Sequence, residues 1–130
     1  MVDTGGVSGE QAEIDRIVDE FVGGTAHVRG AVLGSADGHP LAARLDDVDA
    51  EPSTVAAMGA AALGLSTQLA RVATDAATAS TYVRASGVQA WVFDIGNAAT
   101  LTVFAAEHGD ASAIVQASQR AAGRVIAALT

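Results

Sequence analysis

The chain has 130 residues, half of them apolar, with 15 acidic against 7 basic side chains and a formal charge of −8. That is the size of one domain with enough apolar content for its own core, and its acidic surface repels nucleic-acid phosphates and anionic lipid headgroups. It has no cysteine, and every basic residue is an arginine, which excludes disulfides, thiolate metal sites, cysteine nucleophiles, Schiff-base lysines and phosphate-loop lysines.

Residues 1–6 lack the basic and apolar regions of a secretory signal. Residues 1–7 are expected as a disordered tail, and 8–130 as a single domain. Ser8, with Gln11 three residues later, reads as a capping box. Ile14, Ile17, Val18 and Phe21 then recur at i, i+3, i+4 and i+7, the stripe of an amphipathic helix that Gly23-Gly24 ends. A strand over 28–36, the turn pair Asp37-Gly38 and a strand over 41–45 make a hairpin, with Pro40 suiting a sheet edge. The acidic loop 46–52 leads into a second helix, roughly 53–75, where carboxylates suit the positive helix end and Pro52 the first turn.

The second helix is the most informative segment. Val55, Met58, Ala62, Leu65, Leu69 and Val72 form one apolar stripe, expected against the sheet. The other side, Ala56, Ala60, Leu63, Gly64, Thr67 and Arg71, carries small neutral residues where a surface helix would carry charge. The uncharged run 52–70 is long enough to raise the question of a membrane span. Its Ser, Thr and Gln and its Ala/Gly-dominated apolar content favour a soluble helix. Gly59 and Gly64 each cost roughly 1 kcal/mol relative to Ala inside a helix, a cost that close approach of another helix would offset.

Three strands follow at 79–86, 88–95 and 98–106, with turns at Gly87 and Gly96-Asn97. Trp91, Phe93 and Phe104 are the bulky core candidates. Asp110 or Ser112 caps a last helix, with Ile114, Val115, Ser118, Ala122, Val125, Ile126 and Leu129 on its buried side. The element order predicts an α/β (α+β) three-layer sandwich with an antiparallel sheet. The strand 79–86 has no proline and one charge, so as a sheet edge it is poorly guarded against pairing with another chain. An unguarded edge and an uncharged helix face predict a homodimer through Ala56, Ala60, Leu63, Gly64, Thr67, Arg71, Thr81 and Val83.

No catalytic, cofactor or metal residue emerges. His27, His39 and His108 each sit beside a turn, without the close spacing of a metal motif. Asp46, Asp47, Asp49 and Glu51 lack the alternation and distant Glu of a calcium loop. Gly34-Ser35-Ala36-Asp37-Gly38 misplaces its serine for a nucleophile elbow and lies between strands. Neither a phosphate loop nor a dinucleotide fingerprint is present.

Val28-Arg29-Gly30-Ala31-Val32-Leu33-Gly34-Ser35-Ala36-Asp37-Gly38-His39-Pro40-Leu41-Ala42 resembles the first hairpin of the roadblock/dynein light chain family, and the element order is similar over about residues 8–129. The resemblance implies five antiparallel strands in the order 2-1-5-4-3, with the second helix on one face and the terminal helices on the other. It further implies dimerisation through the third strands and second helices, and association with small Ras-like GTPases, in some bacterial members as activators or sensors of nucleotide state. It supplies no catalytic residue. The expectation is a cytoplasmic, dimeric, non-catalytic GTPase regulator without cofactor, nucleic-acid partner or membrane insertion. The alternative is a small-molecule sensor of profilin-like architecture, which needs a concave site with convergent polar groups.

Overall fold

A computed structural model describes residues 5–75 and 80–129. Its elements are α1 (Gly5–Gly24), β1 (Val28–Ser35), β2 (Pro40–Leu45), α2 (Pro52–Ala73), β3 (Thr81–Ala85), β4 (Val88–Ile95), β5 (Ala99–Ala106) and α3 (Ala111–Leu129). The five strands form one antiparallel sheet in the order β2-β1-β5-β4-β3. α1 and α3 lie on one face and α2 on the other. The element order and the three layers are those the sequence predicts.

Boundaries shift in instructive ways. α1 starts at Gly5, three residues before the expected cap, so Ser8 falls inside the helix. Gln11 does not reach back to close a capping box. Its amide instead donates to Asp15 Oδ1 at 3.0 Å and to the Leu41 carbonyl at 2.7 Å, tying α1 to β2. Residues 1–4 of the expected tail and the start of the expected strand at Ala79 lie outside the described residues. At the other end Asp110 is the cap of α3, with Oδ1 3.2 Å from the Ala113 amide.

The hairpin turns follow their sequence signals. The Asp37-Gly38 pair closes a three-residue loop in which Gly38 takes φ 90, while Gly96 and Asn97 take φ 60 and 61 and the Ala98 amide donates to the Ile95 carbonyl at 3.0 Å. Two successive left-handed residues make the tight turn that matches strand twist.

Strand alternation splits the sheet into two unequal cores. Ala31, Leu33, Trp91, Ile95, Leu101, Val103 and Ala105 point toward α1 and α3 and are 5% exposed or less. Ile14, Ile17, Val18, Phe21 and Val22 of α1 and Ile114, Ala117, Ala121 and Val125 of α3 close over them. The core under α2 is much smaller: Val32, Val55 and Ala56, edged by Leu45 and Phe104.

Gln89 fastens the end of the larger core. It is 3% exposed, and its amide nitrogen lies 3.1, 3.1 and 3.0 Å from the carbonyls of Ala106, Glu107 and Gly109. These are the carbonyls of the turn that launches α3, and the donor reaches them from a buried side chain. Gln89→Leu is expected to lower unfolding free energy by about 2 kcal/mol, read by urea titration.

Candidate interaction face of α2 and β3

The structure turns α2 by roughly a third of a revolution from the sequence expectation, with Val55 still buried and Ala62 half-buried as the stripe requires. Its buried residues are Val55, Ala56 and Gly59. Met58, Leu65, Leu69 and Val72, expected against the sheet, are instead 65%, 68%, 72% and 85% exposed. The residues assigned to an outer face move inward accordingly. Ala56 is 1% exposed, and Ala60, Leu63 and Thr67 are half-buried along the flank toward the sheet, leaving only Gly64 and Arg71 of that set exposed.

The cause is the shape of the sheet. Gly34 of β1 leaves the space that Ala56 fills: a Cβ on Gly34 would stand 3.1 Å from the Ala56 Cβ. Gly59 sits over β5, where a Cβ would come within 2.5 Å of Thr102 Oγ1. The helix therefore rides low on a floor of Gly34, Thr100 and Thr102, and a stripe of Met and Leu would hold it off. The close approach inferred for Gly59 is real, but its own sheet makes it. Gly64 meets nothing within 4 Å.

The second half of α2 is held by polar contacts. The Ser66 and Thr81 hydroxyls are 2.6 Å apart, and Thr81 Oγ1 also donates to the Ala62 carbonyl at 3.4 Å. Thr81 thus faces α2 from the edge strand, half-buried beneath the helix. Two residues on, Val83 projects to the same side and is 52% exposed.

The outward surface of α2 is a long apolar stripe: Ala57, Met58, Ala61, Leu65, Leu69 and Val72, without one charged side chain. It continues at the sheet edge into Val83. Arg71 borders it, lining a shallow cleft with Gln68, Asp94 and Asn97. By length and composition α2 would also serve as a membrane span, with an 18-residue window averaging 1.2 in mean hydropathy and 22% of that window buried.

The two sheet edges differ. β2 opens with Pro40, and Arg44 stands on it in an ion pair with Asp46 at 3.0 Å. Arg44 also caps α1 by donating to the Asp19 carbonyl at 2.9 Å. Asp46 beside it pushes the guanidinium pKa up. β3 has no proline, and four of its five residues are exposed. A bare row of backbone N–H and C=O groups beside an apolar helix face is a template for strand addition.

Two arrangements escaped the sequence spacing. His27 and His108, far apart in the chain, meet edge-to-face with ring centroids 4.5 Å apart, and His27 holds a left-handed φ of 70. Only strand pairing could reveal that meeting. Among the described residues no three His, Cys, Asp or Glu side chains group to hold a metal ion. At the first hairpin, Ser35 Oγ donates to the Asp37 carboxylate and accepts from the His39 amide at 3.0 Å. The Ser35 bond holds the Asp37 pKa below its ordinary 3.8. A depressed carboxylate stabilises the fold above its unfolded-state pKa, and that contribution fades as pH falls through the lower folded value. Ser35→Ala is expected to move the Asp37 titration back up toward 3.8 in an NMR pH series.

The molecule is a three-layer α+β sandwich that displays an uncharged apolar helix face beside an open strand edge. The chain belongs to the Roadblock/LC7 domain family, whose sequence profile matches residues 14–105. No curated protein sequence matches it significantly. Among solved structures it is similar to MglB in a tetrameric arrangement, with TM-score 0.82 and 18% identity over 92% of this chain and 89% of that one. It is also similar to a Roadblock/LC7 domain from Streptomyces avermitilis, with TM-score 0.81 and 20% identity over 88% and 96%. Myxococcus xanthus MglB gives TM-score 0.80 and 12% identity over 89% and 86%. Identities this low establish the shared fold.

Proposed function

We propose that the chain is a cytoplasmic, homodimeric and non-catalytic regulator that binds a small Ras-like GTPase. The observation that carries the reading is the α2 stripe and its continuity with the β3 edge. Apolar residues exposed in a row on a free monomer mark an interaction surface. A two-fold axis beside β3 would place α2 against its copy while the two β3 strands complete one another's hydrogen bonding. Self-association also accords with the tetrameric arrangement of the structurally similar MglB.

The proposed interface comprises the exposed residues Met58, Leu65, Leu69, Val72 and Val83, with Arg71 at its border. A partner chain suits this surface better than a bilayer. One flank of α2 is committed to the sheet, and the polar side chain of Gln68 interrupts its exposed side. The GTPase partner rests on membership of the Roadblock/LC7 family and its resemblance-based association with such enzymes. With a charge of −8, the regulator would approach a basic patch beside the nucleotide site, and steering of that kind raises association rates.

The test is surface plasmon resonance against the Ras-like GTPases of the same genome, each loaded with GDP or a GTP analogue. Binding that differs at least about tenfold between the two states, or 1.4 kcal/mol, supports regulation by nucleotide state. Equal affinity would reduce the role to tethering, and no binding by any of them would remove the GTPase from the account.

A further inference from the structure

The open edge of β3 admits a second copy in only a few registers. Ala85 and Val88 flank the two-residue loop Ser86-Gly87 and pair directly across it. Across so short a loop, direct partners exchange both backbone hydrogen bonds. Such pairs alternate along an antiparallel ladder, so Val83–Ala90 and Thr81–Val92 exchange bonds as well. Tyr82 and Arg84 fall at the alternate positions. Their N–H and C=O groups therefore point away from β4, and β3 is the last strand on that side of the sheet.

A strand added to this edge must offer Tyr82 and Arg84 its own outward-pointing groups. In a second copy related by a two-fold axis, those are again carried by Tyr82 and Arg84. Pairing these residues among themselves lets the axis pass through Tyr82, Val83 or Arg84, and never midway between residues. An axis at Arg84 sets two guanidinium groups directly opposite, which is destabilising. An axis at Tyr82 sets Val83 against Thr81, whose hydroxyl is already engaged by Ser66 and the Ala62 carbonyl beneath α2, and leaves Ala85 without a partner in the strand. An axis at Val83 pairs the whole of Thr81–Ala85 with its copy. It also brings the two Val83 side chains together, with Cα atoms about 4.5 Å apart. Val83, exposed in the single chain, is then covered on the face where the α2 stripe continues.

The same axis sets the contacts on the opposite face. Tyr82 lies there beside Trp91, with ring centroids 5.3 Å apart, and its hydroxyl donates to Gln89 Oε1 at 2.8 Å. The ring is thus held in place while about half of the residue stays exposed. Arg84 shares this face, and its nearest carboxylate, on Glu107, is 3.9 Å away, so the guanidinium is loosely tied. With Val83 on the axis, Arg84 of each chain stands directly opposite Tyr82 of the other at a Cα separation of about 5.5 Å. That distance lets the guanidinium lie over the ring.

Given the homodimer proposed above, on which the register rests, we infer that two copies join edge to edge with Val83 on the two-fold axis, and that Arg84 of each chain packs on Tyr82 of the other to fix that register.

The chain has no cysteine, so single thiols report the register. A disulfide needs Cα atoms within about 7 Å, and with the axis at Val83 two copies of Tyr82, or of Arg84, lie about 9 Å apart. Val83→Cys, Tyr82→Cys and Arg84→Cys are made singly in the full chain, mildly oxidised and run on a non-reducing gel. The expected result is a covalent dimer from Val83→Cys and none from the other two. Arg84→Ala should raise the dimer dissociation constant about tenfold, or 1.4 kcal/mol for the two symmetric contacts together, by sedimentation equilibrium. Arg84→Lys, which keeps the cation, should retain most of the affinity. If circular dichroism shows that Val83→Cys disturbs folding, the Arg84 pair decides alone. Cross-linking through Tyr82→Cys or Arg84→Cys, or through none of the three in a chain that sediments as a dimer, would overturn the register and leave the homodimer standing. An Arg84→Ala dimer as tight as the unsubstituted one would overturn the Arg84–Tyr82 contact. A chain that is monomeric at every concentration would overturn the register and the homodimer together.

Discussion

Leu65→Arg is expected to leave a folded monomer under conditions where the unsubstituted chain sediments as a dimer. Leu65 lies midway along the exposed stripe and is 68% exposed. An arginine there stays in water in the free chain and should change monomer stability by no more than about 0.5 kcal/mol. In a symmetric dimer the substitution enters the contact twice. Each desolvated, unpartnered charge costs about 3 kcal/mol, so the pair costs about 6 kcal/mol, a weakening of roughly ten-thousandfold. Sedimentation equilibrium over a concentration series reads the change, and circular dichroism confirms the fold. Ala60→Arg should behave differently, because Ala60 sits half-buried on the inner flank beside the Gly38 turn. There the charge strains the monomer itself, and the melting temperature falls before any dimer contact is tested. The contrast distinguishes the two faces of one helix.

Gly59→Leu is expected to produce the largest loss of monomer stability on the α2 side. A Cβ alone would stand 2.5 Å from Thr102 Oγ1, with Val92 Cγ1 at 3.7 Å and Thr100 Oγ1 at 3.8 Å. Thr102 is 6% exposed and Thr100 is 4% exposed, and neither hydroxyl has a hydrogen-bond partner, so the floor cannot yield by turning a side chain into water. Lifting the helix would also strain the Ser66–Thr81 contact. Overpacking of this kind costs up to about 3 kcal/mol, and the better helix propensity of Leu returns roughly 1 kcal/mol. The net loss of about 2 kcal/mol should lower the melting temperature by roughly 8 °C in a domain of this size. Gly64→Ala serves as the opposite case. Nothing lies within 4 Å of its missing Cβ, so propensity alone acts and stability should rise by up to about 1 kcal/mol. Calorimetry on the pair separates seating against the sheet from helix propensity.

The strand and helix boundaries were largely legible because turn chemistry and periodicity agree along this chain. Asp37-Gly38, Gly87 and Gly96-Asn97 each require left-handed or sharply turned backbone, and each closes a hairpin in the structure. The stripe Ile14, Ile17, Val18 and Phe21 is buried as its spacing requires. The face of α2 was misread for a physical reason. Periodicity locates an apolar stripe but does not say whether a sheet or another chain covers it. On α2 the larger side chains face outward and the smaller ones inward, because Gly34 and Thr102 fix how closely the helix must lie. Recognising this from sequence would have required pairing Gly34 with Ala56 and Gly59 with Thr102, contacts that exist only once the strand order is known. The same limit applies to α3, where Val115, Ala122 and Ile126 all carry core spacing, yet Val115 and Ala122 are only half-buried at the edge of the core and Ile126 is 44% exposed.

The absence of native cysteine makes the central claim directly measurable. With Leu65→Cys and Ala56→Cys as separate variants, each protein carries one thiol, and a short bismaleimide can link only thiols that face each other across an interface. The account predicts efficient covalent dimers from Leu65→Cys at micromolar protein, and none from Ala56→Cys, whose side chain lies beneath the helix at 1% exposure. Failure of Leu65→Cys to cross-link while the unsubstituted chain sediments as a dimer would place the interface elsewhere. A monomer at all concentrations would contradict the claim that this helix face joins two copies.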